Sequence, residues 1–122
     1  MATTNLTLST FEEHLSKEGI LVIDFWASWC APCRAFAPIF EAAAARHPDL
    51  VWAKVDTEAE QHLAGALHIR SIPTLMIFRD GILVFAQPGL VPAAGLDELV
   101  SRVKALMTRP SELPPSDPMS SL

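Results

Sequence analysis

Trp29-Cys30-Ala31-Pro32-Cys33 follows directly on the apolar run Ile20 to Ala27 and holds both cysteines of the chain, three positions apart. Pro32 sets the local geometry. Proline is tolerated in a helix only in the first turn, where its missing N–H has no intrahelical partner to lose, so a helix must begin near Cys30. Three residues along an α-helix separate Cα atoms by roughly 5 Å, inside the range of about 4.4 to 6.8 Å that a disulfide spans. The stretch therefore predicts a strand that ends, a short turn, and a helix whose mouth carries two bridgeable thiols.

Such a pair has three readings: a structural staple, half of a metal site, or a redox couple. A staple across about four residues is worth only ~2 kcal/mol in the loop-entropy account, against ~4.7 for a hundred-residue loop, so a stabilising bridge would enclose more chain. A zinc site needs two further ligands at suitable spacing, and His14, His47, His62 and His68 form no such pattern. No metal site is therefore expected. Redox chemistry is the reading best supported, with metal and an inert pair as the alternatives.

The chain has 122 residues, enough for one domain to bury a core without covalent or metal support. Half of its residues are hydrophobic, yet Asp24 interrupts the best apolar run and none approaches the length of a membrane span. Met1 to Ser9 lacks a basic segment followed by an apolar one, so no export signal is expected and a reducing, cytoplasmic setting is the default. There a C-x-x-C pair is catalytic or metal-binding rather than structural. The formal net charge of -5 disfavours contact with phosphate backbones, which want clustered Lys and Arg. Neither nucleic acid nor membrane is an expected partner, and a monomer is the default state.

Taken in order, Asn5 to Ser9 reads as a short edge strand. Thr10 reads as the cap of a helix over Phe11 to Glu18, with Glu13 closing a capping box and Gly19 ending the helix. Ile20 to Ala27 is apolar on both faces, as a central strand should be. The helix entered at Cys30 runs to His47 with Phe36, Ile39, Phe40 and Ala43 on one stripe, and Pro38 should bend it. Leu50 to Asp56 is a further strand and Glu58 to Leu67 a short helix. Pro73 opens a strand over Thr74 to Arg79, Asp80-Gly81 is a hairpin signal, and Ile82 to Ala86 returns antiparallel. Within Pro92 to Met107 lies a last helix with Leu96, Leu99, Val100, Val103 and Leu106 facing inward. From residue 109 onward four prolines and four serines in fourteen residues predict a disordered tail, leaving residues 1 to 108 as the folded domain. Alternating strands and helices followed by a hairpin imply an α/β mixed sheet with helices on both faces.

These motifs, Asp24-Phe25-Trp26-Ala27, Trp29-Cys30-Ala31-Pro32-Cys33, Ile72-Pro73-Thr74, Asp80-Gly81 and Gly89, stand in an order that resembles the thioredoxin family over roughly Leu6 to Leu106. The resemblance implies a three-layer sandwich, a central mixed five-stranded sheet flanked by four helices. It implies a small dithiol carrier that reduces disulfides in protein substrates through a reversible Cys30–Cys33 disulfide. No bound cofactor is implied, since electrons would come from an NADPH-dependent flavoprotein, thioredoxin reductase. It implies a cis bond before Pro73, leaving the Ile72 backbone free to pair with an extended target. Around the Cys30 sulfur, Trp29, Ala31, Pro32, Ile72, Pro73, Gly89 and Leu90 would then form an apolar substrate-binding rim, whereas Trp26 and Trp52 read as packing.

Cys30 is the expected nucleophile. A thiol at its reference pKa of ~8.5 is about 3% thiolate at pH 7, and lowering it to ~7 gives about 50%. A helix N-terminus stabilises an anion by ~0.3 to 2 kcal/mol, the size of shift required. Cys33, one turn deeper, would resolve the mixed disulfide. Asp24, a carboxyl in an apolar strand, is a candidate base for it, and pairing with a cation such as Lys54 on the neighbouring strand is its structural alternative. The resemblance implies the base role, with a water able to relay the proton. Two other functions remain on this scaffold: a binding or assembly protein that needs no electron transfer, and an oxidase or isomerase, which would need an oxidising compartment.

Overall fold

The computed structural model describes residues 2 to 106, so the tail expected from residue 109 lies outside the described residues. In chain order the elements are β1 (Thr4–Asn5), α1 (Leu8–Leu15), β2 (Ile20–Trp26), α2 (Ala31–Arg46), β3 (Val51–Asp56), α3 (Gln61–Ala66), β4 (Thr74–Arg79), β5 (Ile82–Pro88) and α4 (Ala93–Ala105). The strands form one mixed sheet in the order β1-β3-β2-β4-β5. β1 and β2 run parallel to β3, whereas β4 is antiparallel to both β2 and β5.

β2 sits at the centre because it has no polar face to show water except at Asp24, and six of its seven residues are buried. One face of the sheet, through Val22, Trp52, Leu75 and Ile77, packs against Phe36 and Phe40 of α2 and Leu96, Val100 and Val103 of α4. The other, through Ile23, Phe25, Val55 and Phe78, packs against Phe11 of α1 and Leu63 of α3. Two helices therefore cover each face, the three-layer α/β sandwich with five strands and four helices that the motifs imply. The side-chain period of two puts Val22, Asp24 and Trp26 on the face covered by α2, the helix that carries Cys33.

The hairpin forms where the Asp-Gly pair stands. Asp80 and Gly81 have φ of 53° and 84°, the two positive values of a type I′ turn, and a Cβ at Gly81 would lie 2.7 Å from the Leu15 carbonyl oxygen. Gly19, read as a helix terminator, has another task. α1 has already ended at Leu15, and Gly19 trades hydrogen bonds with Asp80, donating to Oδ1 at 2.7 Å and accepting from its N–H at 2.8 Å.

Several boundaries differ from the sequence reading. α1 starts three residues early, at Leu8, because Thr7 caps it: the Thr7 side chain accepts from the Thr10 N–H, and the Thr10 hydroxyl accepts from the Thr7 N–H at 2.8 Å. Glu13 takes no part in the cap, and the first strand shrinks to Thr4–Asn5. α3 begins at Gln61 rather than Glu58, since the Asp56 carboxylate accepts from the Glu58 N–H at 2.9 Å and holds the preceding residues in a turn. β5 extends to Pro88, an edge position where a missing N–H costs no ladder bond. α2 runs on through Pro38. Leu106, expected inside, lies past the end of α4 and is 55% exposed.

Candidate active site

β2 ends at Trp26, and Ala27 to Trp29 turn the chain into α2 at the C-terminal edge of the sheet. Cys30 is the N-cap of α2, extended at φ -91° and ψ 110°, with Pro32 in the first turn as its missing N–H requires. The two sulfurs are bonded, with the Cα atoms 5.2 Å apart, the spacing a helical turn sets. The Cys33 N–H points at Cys30 Sγ from 3.2 Å, so one free donor of the helix mouth is aimed at the atom that would carry thiolate charge. Both cysteines are buried among their neighbours in the oxidised pair, Cys33 2% and Cys30 4% exposed.

The cis bond expected before Pro73 is present. It places the Ile72 carbonyl oxygen 3.7 Å from Cys30 Sγ, a contact that can become a hydrogen bond only when the sulfur carries a proton. Gly89, at φ 96°, donates its N–H to the Pro73 carbonyl at 2.7 Å and so ties its loop to the same segment. Among the described residues the Ile72 N–H has no hydrogen-bond partner. Of the expected rim, Trp29 is 66% exposed, Leu90 40%, and Ala31, Pro32 and Gly89 are exposed, while Ile72 is half-buried against the cysteines and Pro73 is buried.

Two clamps on the turn escaped the sequence reading. The Trp29 indole N–H donates to Glu58 Oε2 at 3.2 Å, and the Arg34 guanidinium donates to the Ser28 carbonyl at 2.8 Å. Glu58 stands among Asp56 and Glu60 in a polar turn, with nothing in its spacing to single it out. Trp52 packs as expected, its ring edge-on to Phe40 and its N–H on the His47 carbonyl at 2.9 Å.

Asp24 is fully buried, and neither carboxylate oxygen has a hydrogen-bond partner among the described residues. Burial pushes its pKa up to about 7, and the positive charge of Lys54 pulls the other way. Lys54 is the register partner of Asp24 on β3 but forms no ion pair with it, its ammonium standing 5.1 Å from the Trp26 ring centroid instead. Pairing is thus not what stabilises Asp24. A carboxyl that titrates near neutral pH on the face beneath α2 can exchange a proton at working pH, which an ordinary carboxylate cannot. Among the described residues no group of three or more His, Cys, Asp or Glu could hold a metal ion.

The family model described as Thioredoxin matches residues 2–104. The chain is 48% identical over 105 residues to a Streptomyces coelicolor protein provisionally named thioredoxin 2, covering 86% of this chain and 78% of that one. It is 38% identical over 103 residues to thioredoxin of Bacillus subtilis, covering 84% and 98%. The structure of Plasmodium falciparum thioredoxin superimposes with a TM-score of 0.76 at 26% identity, covering 82% of this chain and 98% of that one.

Proposed function

This chain belongs to the thioredoxin family and is a dithiol–disulfide oxidoreductase acting on disulfides in proteins, and from that premise we propose how its residues divide the work. Cys30, as thiolate, attacks one sulfur of a target disulfide. That S–S bond breaks, the departing target sulfur takes up a proton, and a mixed disulfide joins Cys30 to the target. Asp24, directly or through a water, accepts the proton of Cys33, whose sulfur then attacks Cys30 Sγ. The Cys30–Cys33 bond forms, the second target sulfur leaves as a thiol, and two electrons have passed to the target. Lys54 keeps Asp24 from rising so far that it could no longer accept a proton near pH 7.

The observation that carries this reading is the Cys33 N–H directed at Cys30 Sγ from 3.2 Å, at the mouth of α2. Nucleophilicity falls with pKa at a slope of ~0.4 to 0.5, so a thiol tuned to near ambient pH is the effective one. The rim of Trp29, Ala31, Pro32, Ile72, Gly89 and Leu90 supplies apolar contact, and the unpaired Ile72 backbone supplies main-chain pairing, a combination suited to extended segments of many sequences. We further place the chain in the cytoplasm as a monomeric electron carrier, re-reduced by a flavoprotein thioredoxin reductase at the expense of NADPH. Among the described residues no helix is long and apolar enough to cross a membrane.

The test uses a disulfide-bonded target protein with dithiothreitol as electron source. Wild type should accelerate its reduction, Cys30→Ser should not, and Cys33→Ser should accumulate a covalent adduct of the target's mass, visible by mass spectrometry and released by excess thiol. An adduct on Cys33 in the Cys30→Ser variant, with none in Cys33→Ser, would reverse the assignment. Target binding that persists in the doubly substituted chain, with no acceleration of reduction by wild type, would favour a pure binding role instead.

A further inference from the structure

At the pole of the sheet opposite the cysteines stands the other charged side chain buried among the described residues. Arg79 ends β4, the strand that starts beside the cis bond, and its side chain is 9% exposed. Its Nη1 is sealed from solvent without a hydrogen-bond partner among the described residues. The nearest carboxylate oxygen, Asp80 Oδ2, stands 3.6 Å from Nε, beyond hydrogen-bond reach, and Asp80 Oδ1 is taken by the Gly19 N–H. A guanidinium does not shed its charge at any physiological pH, and Nε and Nη2, which keep contact with solvent and have no hydrogen-bond partner among the described residues, are the donors an incoming oxyanion can meet.

Beside Arg79 opens a cavity of about 310 Å³ lined by Gly19, Ile20, Asp49, Leu50, Arg79 and Lys104. Lys104, in the last turn of α4, brings a second cation to it. Its ammonium bonds Asp49 Oδ2 at 2.6 Å, but both side chains are substantially exposed, at 42% and 59%, and exposed ion pairs are weakly held. Asp49 can therefore turn to solvent and release Lys104 to a ligand. The volume is at the lower end of small-molecule sites, which run from about 300 to 1,000 Å³, and the walls supplied by Ile20 and Leu50 are apolar.

We propose that this cavity binds a small oxyanion, the phosphate or carboxylate group of a small molecule, in the fork of Arg79 with Lys104 as second cation. The Nε and Nη2 edge of the planar Arg79 guanidinium suits two oxygens of one head group, and Ile20 and Leu50 accommodate a short apolar substituent. The site shares no residue with the Cys30–Cys33 centre and stands whether or not the roles assigned there hold.

The test is a titration of the full-length, isotope-labelled protein with inorganic phosphate and, separately, with butyrate, at constant ionic strength against chloride. Saturable amide shifts confined to the neighbourhood of Gly19, Ile20, Leu50 and Lys104 are expected, and the tighter probe identifies the head group. Arg79→Met should weaken binding about tenfold or more, the loss of one or two charge-assisted hydrogen bonds, and Lys104→Gln should weaken it severalfold with disulfide reduction unchanged. The thermal midpoint of wild type should rise with the bound probe and that of Arg79→Met should not. Should Arg79→Met not fold, Lys104→Gln carries the comparison alone, since its side chain lies at the surface. Shifts that stay linear for both probes, or that saturate equally in wild type and variants, would overturn the proposal.

Discussion

Asp24 is a group whose folded pKa lies above its unfolded value, near 7 against 3.8, and the sign of its effect follows. Below pH 3.8 both states hold the proton and Asp24 makes no pH-dependent difference. Between that value and about 7 the unfolded chain releases a proton that the folded chain keeps, so the fold loses stability as pH rises. Above about 7 the loss is constant, with about 4 kcal/mol as its upper figure. Asp24→Asn is thus expected to be more stable than wild type at pH 8 and nearly equal at pH 4, while resolution by Cys33 slows by about a hundredfold. Urea denaturation at the two pH values checks the first part, and a variant less stable at pH 8 would refute the buried acid. Lys54→Gln removes the one charge that lowers the Asp24 pKa, so the pH at which stability levels off should move upward. At this scale the cysteines and Asp24 were legible because each is anomalous in its surroundings, two thiols in one turn and one carboxyl in an apolar strand. The contacts of Trp29 with Glu58 and of Arg34 with Ser28 were not, because each joins an ordinary polar group to a partner chosen by the fold.

Among the elements, α1 shows where local pattern stops short. Thr7 and Thr10 are both competent caps, and each is followed three residues later by a residue able to close a box, Thr10 or Glu13. With the start at Leu8, Phe11 is buried, its ring edge-on to Phe78 at 5.6 Å between centroids. Packing thus chose between two caps of similar local worth. Thr7→Ala should cost about 1 kcal/mol, whereas Glu13→Ala should stay within about 0.5 kcal/mol of wild type. Equilibrium denaturation of the two variants distinguishes the caps, and the reverse order would restore the start at Phe11. By contrast α2 and the hairpin at Asp80-Gly81 were readable at once, since proline and glycine act through their own backbone limits and need no distant partner.

Across the whole molecule, α2 both builds the site and closes one layer of the core. Phe40 is fully buried on that helix, 5.3 Å from the Trp52 ring and 5.7 Å from Phe36 between centroids. Phe40→Ala should cost roughly 3 to 5 kcal/mol, a large share of the 5 to 15 that domains of this size possess. Unfolding followed by tryptophan fluorescence and by far-UV circular dichroism should remain one coincident transition, because α2 and α4 cover a single continuous core. Separate transitions for the two probes would show that the layers are not one cooperative unit.

What the amino-acid order determined by itself is what covalent geometry and short-range periodicity dictate: where α2 begins, that its two thiols can meet, and which strand is buried on both faces. The tertiary structure alone decided the rest. Only the covering of β2 on both sides desolvates Asp24 enough to bring its titration to neutral pH, and only the packed sheet closes Nη1 of Arg79 off from solvent. These are properties of surroundings assembled from residues far apart in the chain, and burial, unlike a proline ring, is not written at any single position.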